Sequence, residues 1–462
     1  MKHSRTSTSI LVLLMLITSA CSRSDDDAGA NGDDTTTTTE APDGGGDATA
    51  LAQGGFGDLE AVCQDGDASG PTAPGVTDTQ ITVGTMTDKG GIVQGLNEEM
   101  YDTAVAFTKW CNEHGGINGR ELVLSDVDAK LFDYEPAVTE ACGRDFALVG
   151  GGAVFDEDPN DVRIGCNLPN IAGYVVSARG RVAGLQVQPI PNTLQKVGLG
   201  RYNAVTRDFP DSIDRYAIMA SAIDSVLLVK NQTIEVAESL GFEVAYTVDY
   251  QTQGETGWSN FVREMQQEDI RILEFIGQPQ NLIELTTAME TAGWHPDAIL
   301  LSGNFYDDLY RQGATNSTEN LYIQSTFVPF EMADDTKATQ DYLDLMAQYN
   351  PSGKIAGLGV QGMSSWLLFA TAAAACGSDL TTECLLAEAG ATADWTGGGL
   401  HARQTPGNTD PSPCMLLLGL DETGFVLNET ATAPTDGDGS FNCDESNTFE
   451  MSGDYGVPRP EA

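Results

Sequence analysis

From Ile81 onward the chain alternates short β-branched and apolar runs with longer stretches whose apolar residues recur at helical spacing. ITVGTMTD (81–88) reads as a strand ending in a polar loop. NEEMYDTAVAFTKWCNEH (97–114) follows, with Tyr101, Val105 and Trp110 at helical spacing. ELVLSDVD (121–128) is a second strand, and EPAVTEACGRD (135–145) a second helix with proline near its start, where helix N-termini favour it. DFALVGGG (145–152) is a third strand, DPNDVRIGC (158–166) a short helix and NIAGYVVS (170–177) a fourth strand. Strands separated by helices predict parallel βαβ units.

The rhythm restarts after VQPIPN (187–192). RYAIMAS, FEVAYTVDY, RILEFIG and AILLSG read as strands; IDSVLLVKNQTIEVAESLG, WSNFVREMQQE and NLIELTTAMETAG between them read as helices. After YIQSTFVPF (322–330) two helical stretches follow, TKATQDYLDLMAQYN and GVQGMSSWLLFATAAAA, and then a hairpin, CMLLLGL with GFVL. The body of about 400 residues exceeds one ordinary core, so two α/β lobes are expected. The apolar helices after 330 need a partner surface and are expected to return onto the lobes.

GGINGR (115–120) tests whether this is a nucleotide-binding chain. A phosphate-binding glycine loop follows a strand and opens a helix. Here a helix closes, the glycines follow and a strand begins, so Gly115 ends the helix and Asn118-Gly119 turns the chain.

The first residues change the picture further. Lys2 and Arg5 precede the uncharged run 10–17, then TSAC, the pattern of an export signal. That run is shorter than the roughly 20 residues a spanning helix needs, and no further segment reads as long and apolar enough to cross a membrane. Cys21 after Ser19 and Ala20 resembles the lipobox of bacterial lipoproteins, with Thr18 where leucine is usual. Residues 21–58 are rich in Asp, Thr and Gly and read as a disordered tether. Net charge is −45, and from residue 51 on sixty acidic face twenty basic side chains. Such a surface repels nucleic acid.

Eight cysteines remain beside Cys21, an even number in an exported chain, and predict disulfides. Locality pairs Cys376 with Cys384 and Cys414 with Cys443; Cys142 with Cys166 and Cys63 with Cys111 complete the set. Neither CxxC nor clustered Cys/His spacing is present, so no metal or other cofactor is expected. Enzymatic chemistry is not expected either. QGMSSWLL lacks the second glycine of a nucleophile elbow, no H-E-x-x-H occurs, and DGDGS lacks the rest of a calcium loop.

WCNEHGGINGR between a helix and a strand ending in Asp, with PGVTDTQITVG, DFALVGGG and SSWLLFATAAAACG, resembles the leucine/isoleucine/valine-binding-like proteins, type I solute-binding lipoproteins of ABC importers, in their high-GC Gram-positive branch. The likeness spans about residues 60–430. It implies an α/β fold of two Rossmann-like lobes with parallel central sheets and a three-crossing hinge. Lobe 1 would be 59–191 with 330–398, and lobe 2 would be 192–329 with a C-terminal hairpin and polar tail in 399–462. It further implies a monomer tethered to the outer membrane face by its lipid, a small-molecule solute and an ABC permease as partners. A ligand-sensing ectodomain is the alternative. The ligand should meet loops at strand C-termini: Thr87, Asp88, Gly151, Gly152, Ala153, Tyr174 and Ser177 from lobe 1, and Ser221, Tyr250, Gln278, Asn304 and Tyr306 from lobe 2. Amino-acid-binding relatives place hydroxyls after the third and fourth strands and an acid in lobe 2. GGGAVFDE, Gly173-Tyr174 and Asn304 depart from that pattern, so amide, peptide-like and aromatic solutes stand beside amino acids.

Overall fold

A computed structural model describes residues 50–156, 160–314, 320–407, 411–435, 440–453 and 455. The expected signal (1–20), the lipidated Cys21 and the tether as far as residue 49 lie outside the described residues. Residues 50–58, read as the end of the tether, instead belong to the body. Leu51 and Phe56 are buried, and Trp110 Nε1 donates to the Leu51 carbonyl at 2.9 Å. Two large apolar side chains in an otherwise small-residue segment are enough to hold it against the core.

The first sheet has the order β2-β1-β3-β4-β5 and is parallel throughout. In chain order it is built by β1 (Gln80–Thr87), α1 (Glu98–Glu113), β2 (Glu121–Asp128), α2 (Tyr134–Cys142), β3 (Ala147–Val149), α3 (Asn160–Gly165), β4 (Asn170–Ile171), α4 (Ala178–Arg181) and β5 (Gln186–Val187). The strand expected over 170–177 is thus two residues long. Asp156 accepts from the Val176 and Ser177 amides at 3.0 and 2.9 Å, which bends GYVVS out of the ladder. The two-residue β5 was not foreseen, because a pair of residues has no period.

The chain then forms β6 (Lys196–Gly198), α5 (Gly200–Asp208), β7 (Tyr216–Ser221), α6 (Asp224–Ser239), β8 (Val244–Tyr250), α7 (Trp258–Gln267), β9 (Ile272–Ile276), α8 (Pro279–Ala292), β10 (Ala298–Ser302), α9 (Asp308–Gly313) and β11 (Leu321–Ser325). It returns to the first sheet as α10 (Lys337–Tyr349), α11 (Gly357–Cys376) and α12 (Thr382–Ala391). It ends with β12 (Leu416–Asp421), β13 (Gly424–Leu427), α13 (Glu429–Thr432) and β14 (Thr448–Glu450). The second sheet has the order β13-β12-β11-β10-β9-β7-β8, with β12 and β13 antiparallel to the rest; β14 pairs with β6. The segments after β5, after β11 and after α12 therefore carry the chain between the two lobes.

Contrary to the expectation that no segment is long and apolar enough to cross a membrane, Gly357–Asp379 is so by length and composition. It is a core helix instead. Val360, Met363, Trp366, Leu367, Leu368 and Phe369 are all buried, each contributing on the order of 1.5–3 kcal/mol, as α11 packs on α1, β3, β4 and α12. Disulfides join Cys63–Cys111, Cys142–Cys166, Cys376–Cys384 and Cys414–Cys443.

At GGINGR, α1 stops at Glu113, and Gly115 and Gly116 take φ of 93° and 71°. A Cβ on Gly116 would stand 2.1 Å from the Arg120 carbonyl oxygen. These glycines end a helix and pack against backbone, and no helix N-terminus opens after them.

Candidate functional site

Parallel strands deliver their C-terminal loops to one edge of each sheet. In lobe 1 these loops begin at residues 88, 129, 150 and 172, and in lobe 2 at 222, 251, 277 and 303. The lobes touch at several points. Ser225 Oγ, in the first turn of α6, donates to the Val154 carbonyl at 3.5 Å. Arg181 Nη1 donates to Gln232 Oε1 at 3.2 Å and to the Thr193 carbonyl at 3.3 Å. Lys354 Nζ stands 3.2 Å from Glu99 Oε2 of α1 and 2.9 Å from Asp307 Oδ2 of the loop after β10.

The residues expected to meet a ligand divide into two groups. Thr87, Asp88, Ala153, Ser177, Ser221, Tyr250 and Tyr306 are buried, and Gly151 is buried with them. Most of these serve the fold. Asp88 accepts from the Leu131 and Val154 amides, both at 2.8 Å. Ser177 Oγ caps α4 by accepting from Gly180 N at 2.9 Å, and Ser221 bonds the Thr252 hydroxyl. Tyr250 stacks on Phe275, and Tyr306 donates to Glu331 Oε2 at 2.6 Å. Gly152, Tyr174, Gln278 and Asn304 are half-buried and keep surface. Asn97 Nδ2 holds the Tyr174 hydroxyl at 2.5 Å, and Asn304 Nδ2 donates to the Gly277 carbonyl at 3.0 Å. Gly151, Gly152, Ala153 and Tyr174 share one wall of a cavity of about 20 Å³ with Asp156 and Gln186, room for about one water.

Sequence reasoning passed over Asn97, Glu99, Asp156, Asp307 and Lys354. Asp156 follows the glycine run by a few positions and could have been noticed. Glu99, Asp307 and Lys354 carry no local signal, since their meeting joins three distant segments. Burial raises the Asp88, Asp156 and Glu99 carboxyls above the ordinary range; backbone amides oppose it at Asp88, the Ser177 hydroxyl and neighbouring amides at Asp156, and the Lys354 ammonium at Glu99. Burial also lowers the Arg181 guanidinium to about 10.

Ser364 and His401 form the sort of pair that catalysis uses, with Oγ and Nε2 2.8 Å apart. Trp395 Nε1 donates to Ser364 Oγ at 2.9 Å, and His401 Nδ1 lies 2.8 Å from the Ala402 carbonyl. Ser364 has no exposed surface and His401 only 2%, so no substrate reaches them. The chain of bonds clasps the 395–402 segment onto α11. Among the described residues no group of three or more His, Cys, Asp or Glu could hold a metal ion.

Residues 203–424 match the family model described as periplasmic binding protein. The fold is that of a fatty acid ABC transporter substrate-binding protein from Thermomonospora curvata, with a TM-score of 0.65 at 19% identity over 79% of this chain and 96% of that one. A possible leucine/isoleucine/valine-binding protein from Rhodopirellula baltica gives 0.64 at 12% identity over 77% and 98%. A leucine binding protein from Thermotoga maritima gives 0.61 at 14% over 76% and 98%. No curated protein sequence matches the chain. The likeness is thus one of fold, to the two-lobed type I binding-protein architecture.

Proposed function

We propose that this chain is a lipid-anchored extracellular solute-binding protein that captures a small organic solute, amino-acid-like or amide-like, between two closing lobes and delivers it to an ABC permease. The observation that carries this reading is the meeting of the two lobes at the C-terminal edges of their largely parallel sheets, where Ser225 of α6 bonds Val154 after β3 and Lys354 links Glu99 on α1 with Asp307 after β10. Ligands of α/β sheets lie at such edges, and closure about a hinge removes water from them. Lobe 1 is assigned 59–191 with 330–398, and lobe 2 the rest of the body from 192. Tyr174, Gln278 and Asn304, with Gly152, are the proposed ligand contacts, since these keep free surface. Fatty acids and leucine in the names of the structural neighbours support an organic solute.

Thermal unfolding of the chain without residues 1–21 tests the binding role against amino acids, amides, polyamines, sugars and aromatic acids. A ligand at about 100 times its dissociation constant adds roughly 2.7 kcal/mol. One class raising the midpoint supports the role; a flat response from protein shown to be ligand-free ends it. The anchor is tested separately: Cys21→Ala should move the protein from the membrane fraction to the medium.

A further inference from the structure

A cavity of about 880 Å³ lies where the chain crosses between the lobes. The segment after β5 lines it with Gln188, Thr193 and Leu194. Lobe 1 adds the edge strand β5 with Leu386 and Ala387 of α12, and lobe 2 adds Glu450 of β14. Gly407, from the segment after α12, completes the wall. That segment lies directly on the helix, since a Cβ on Gly407 would stand 2.0 Å from the Gly390 carbonyl oxygen. None of the lining residues belongs to the loops after β1, β2, β3, β7, β8, β9 or β10, so this space is not the proposed cleft. Its volume suits a small organic molecule, since ligand sites run to about 300–1,000 Å³.

Arg181 gives the space a chemical preference. It lines the cavity and is only 8% exposed. Its Nε donates to the Val176 carbonyl at 3.0 Å, and its Nη1 to the Thr193 carbonyl and to Gln232 Oε1 at 3.3 and 3.2 Å. Nη2, with two N–H groups, donates to no described residue. Arg120, Arg163 and Arg201, by contrast, each use Nη2 within the fold. No described carboxylate forms an ion pair with the Arg181 guanidinium, and Asp156 acts on it only from a distance. The group is nevertheless charged at neutral pH, because burial lowers it only to about 10. A buried cation with open donors and no counter-ion is destabilising. An oxyanion at Nη2 would supply both the acceptor and the charge. Glu450, the other charged residue of the wall, is exposed, where water screens it.

We propose that this cavity is a second ligand site for a small organic anion, a carboxylate or a phosphate ester. Its charged group meets Arg181 Nη2, and its apolar body lies against Leu185, Leu194 and Leu386. Because the walls belong to both lobes, an occupant favours the lobe spacing that keeps them together. The site stands apart from the binding role given to the cleft.

Calorimetry on the chain without residues 1–21 tests it, in about 0.15 M salt to screen the acidic surface. Hexanoate, benzoate and phenyl phosphate are the probes, beside hexanamide, benzamide and phenol as uncharged controls. At least one anion should bind, and about 10-fold or more tighter than its control. The tighter of carboxylate and phosphate identifies the group the site takes. In Arg181→Gln that affinity should fall by about 10-fold or more. Ala387→Glu puts a negative charge on the cavity wall from an exposed helix position. It should give a similar loss, and it decides the matter should Arg181→Gln not fold. Gln278→Ala, at the cleft, should leave the affinity unchanged. The proposal is overturned if no anion binds, if anion and control bind equally, if Ala387→Glu leaves the affinity intact, or if Gln278→Ala weakens it as much.

Discussion

Among the described residues the sheet of lobe 1 has five strands, three of them only two or three residues long, while the main sheet of lobe 2 has seven, most of them five residues or longer. The means of support differ accordingly. Cys63–Cys111, Cys142–Cys166 and Cys376–Cys384 all join elements of lobe 1, whose short ladders supply few backbone bonds, and α11 fills its interior. Lobe 2 carries one bridge, Cys414–Cys443, and behind its long ladders a buried ionic cluster. There Arg201 Nη2 donates to Glu274 Oε1 at 2.7 Å, Tyr202 donates to Glu274 Oε2 at 2.7 Å, and Tyr216 bonds the same oxygen. Both lobes bury charged groups; lobe 2 gathers Arg201 and Glu274 into one ion-paired cluster behind long ladders, while lobe 1, with shorter ladders, adds three crosslinks and the apolar α11.

The largest effect should come from Glu274→Ala, which strands the Arg201 guanidinium, only 14% exposed, and should cost about 3–5 kcal/mol in denaturant unfolding. Glu274→Gln, which keeps an acceptor for the tyrosines, should cost less. Equal losses would mean that shape, and not charge, supports lobe 2. Replacing Cys63 and Cys111 together by alanine opens a crosslink spanning 48 residues and should cost about 4 kcal/mol by loop entropy. Hydrogen exchange should then rise in lobe 1 and stay unchanged in β7 to β11. A rise in both lobes would make the bridge a support of the whole body.

Acid should also act on lobe 1. Burial lowers His401 from 6.5 to about 4, so between these values the unfolded chain binds the proton that the folded one refuses. The stability present above pH 6.5 is therefore lost as the pH falls towards 4, by about 3 kcal/mol. In His401→Gln that part of the slope should vanish; an unchanged slope assigns the acid sensitivity to other groups. The smallest effect concerns the junction of the lobes. Lys354 is a third exposed, so Lys354→Met should cost only about 1 kcal/mol, read by thermal unfolding. A loss several times larger would show that the lobes depend on each other and not only on their own interiors.

Much of the architecture was readable along the chain. ITVGTMTD, ELVLSDVD and RYAIMAS have strand composition, α1 and α6 have helical spacing, and the glycines at 115–119 follow a helix instead of opening one. The short strands escaped because two residues carry no period, and GYVVS has strand composition that Asp156 overrides. At the candidate site, Tyr174, Gln278 and Asn304 lie where strand ends place them. Ser177, Tyr250 and Tyr306 share that position in sequence, yet their polar atoms or rings are taken by the fold.

What the sequence by itself determined is therefore what neighbours set: two sets of βαβ units, helix stops and the surplus of acid. Which polar groups stay free was decided by the tertiary structure alone. Asp88 reaches amides 43 and 66 residues away, and Lys354 meets carboxylates from two lobes. Whether a donor is open to a ligand or already filled depends on distances that only the packed chain sets.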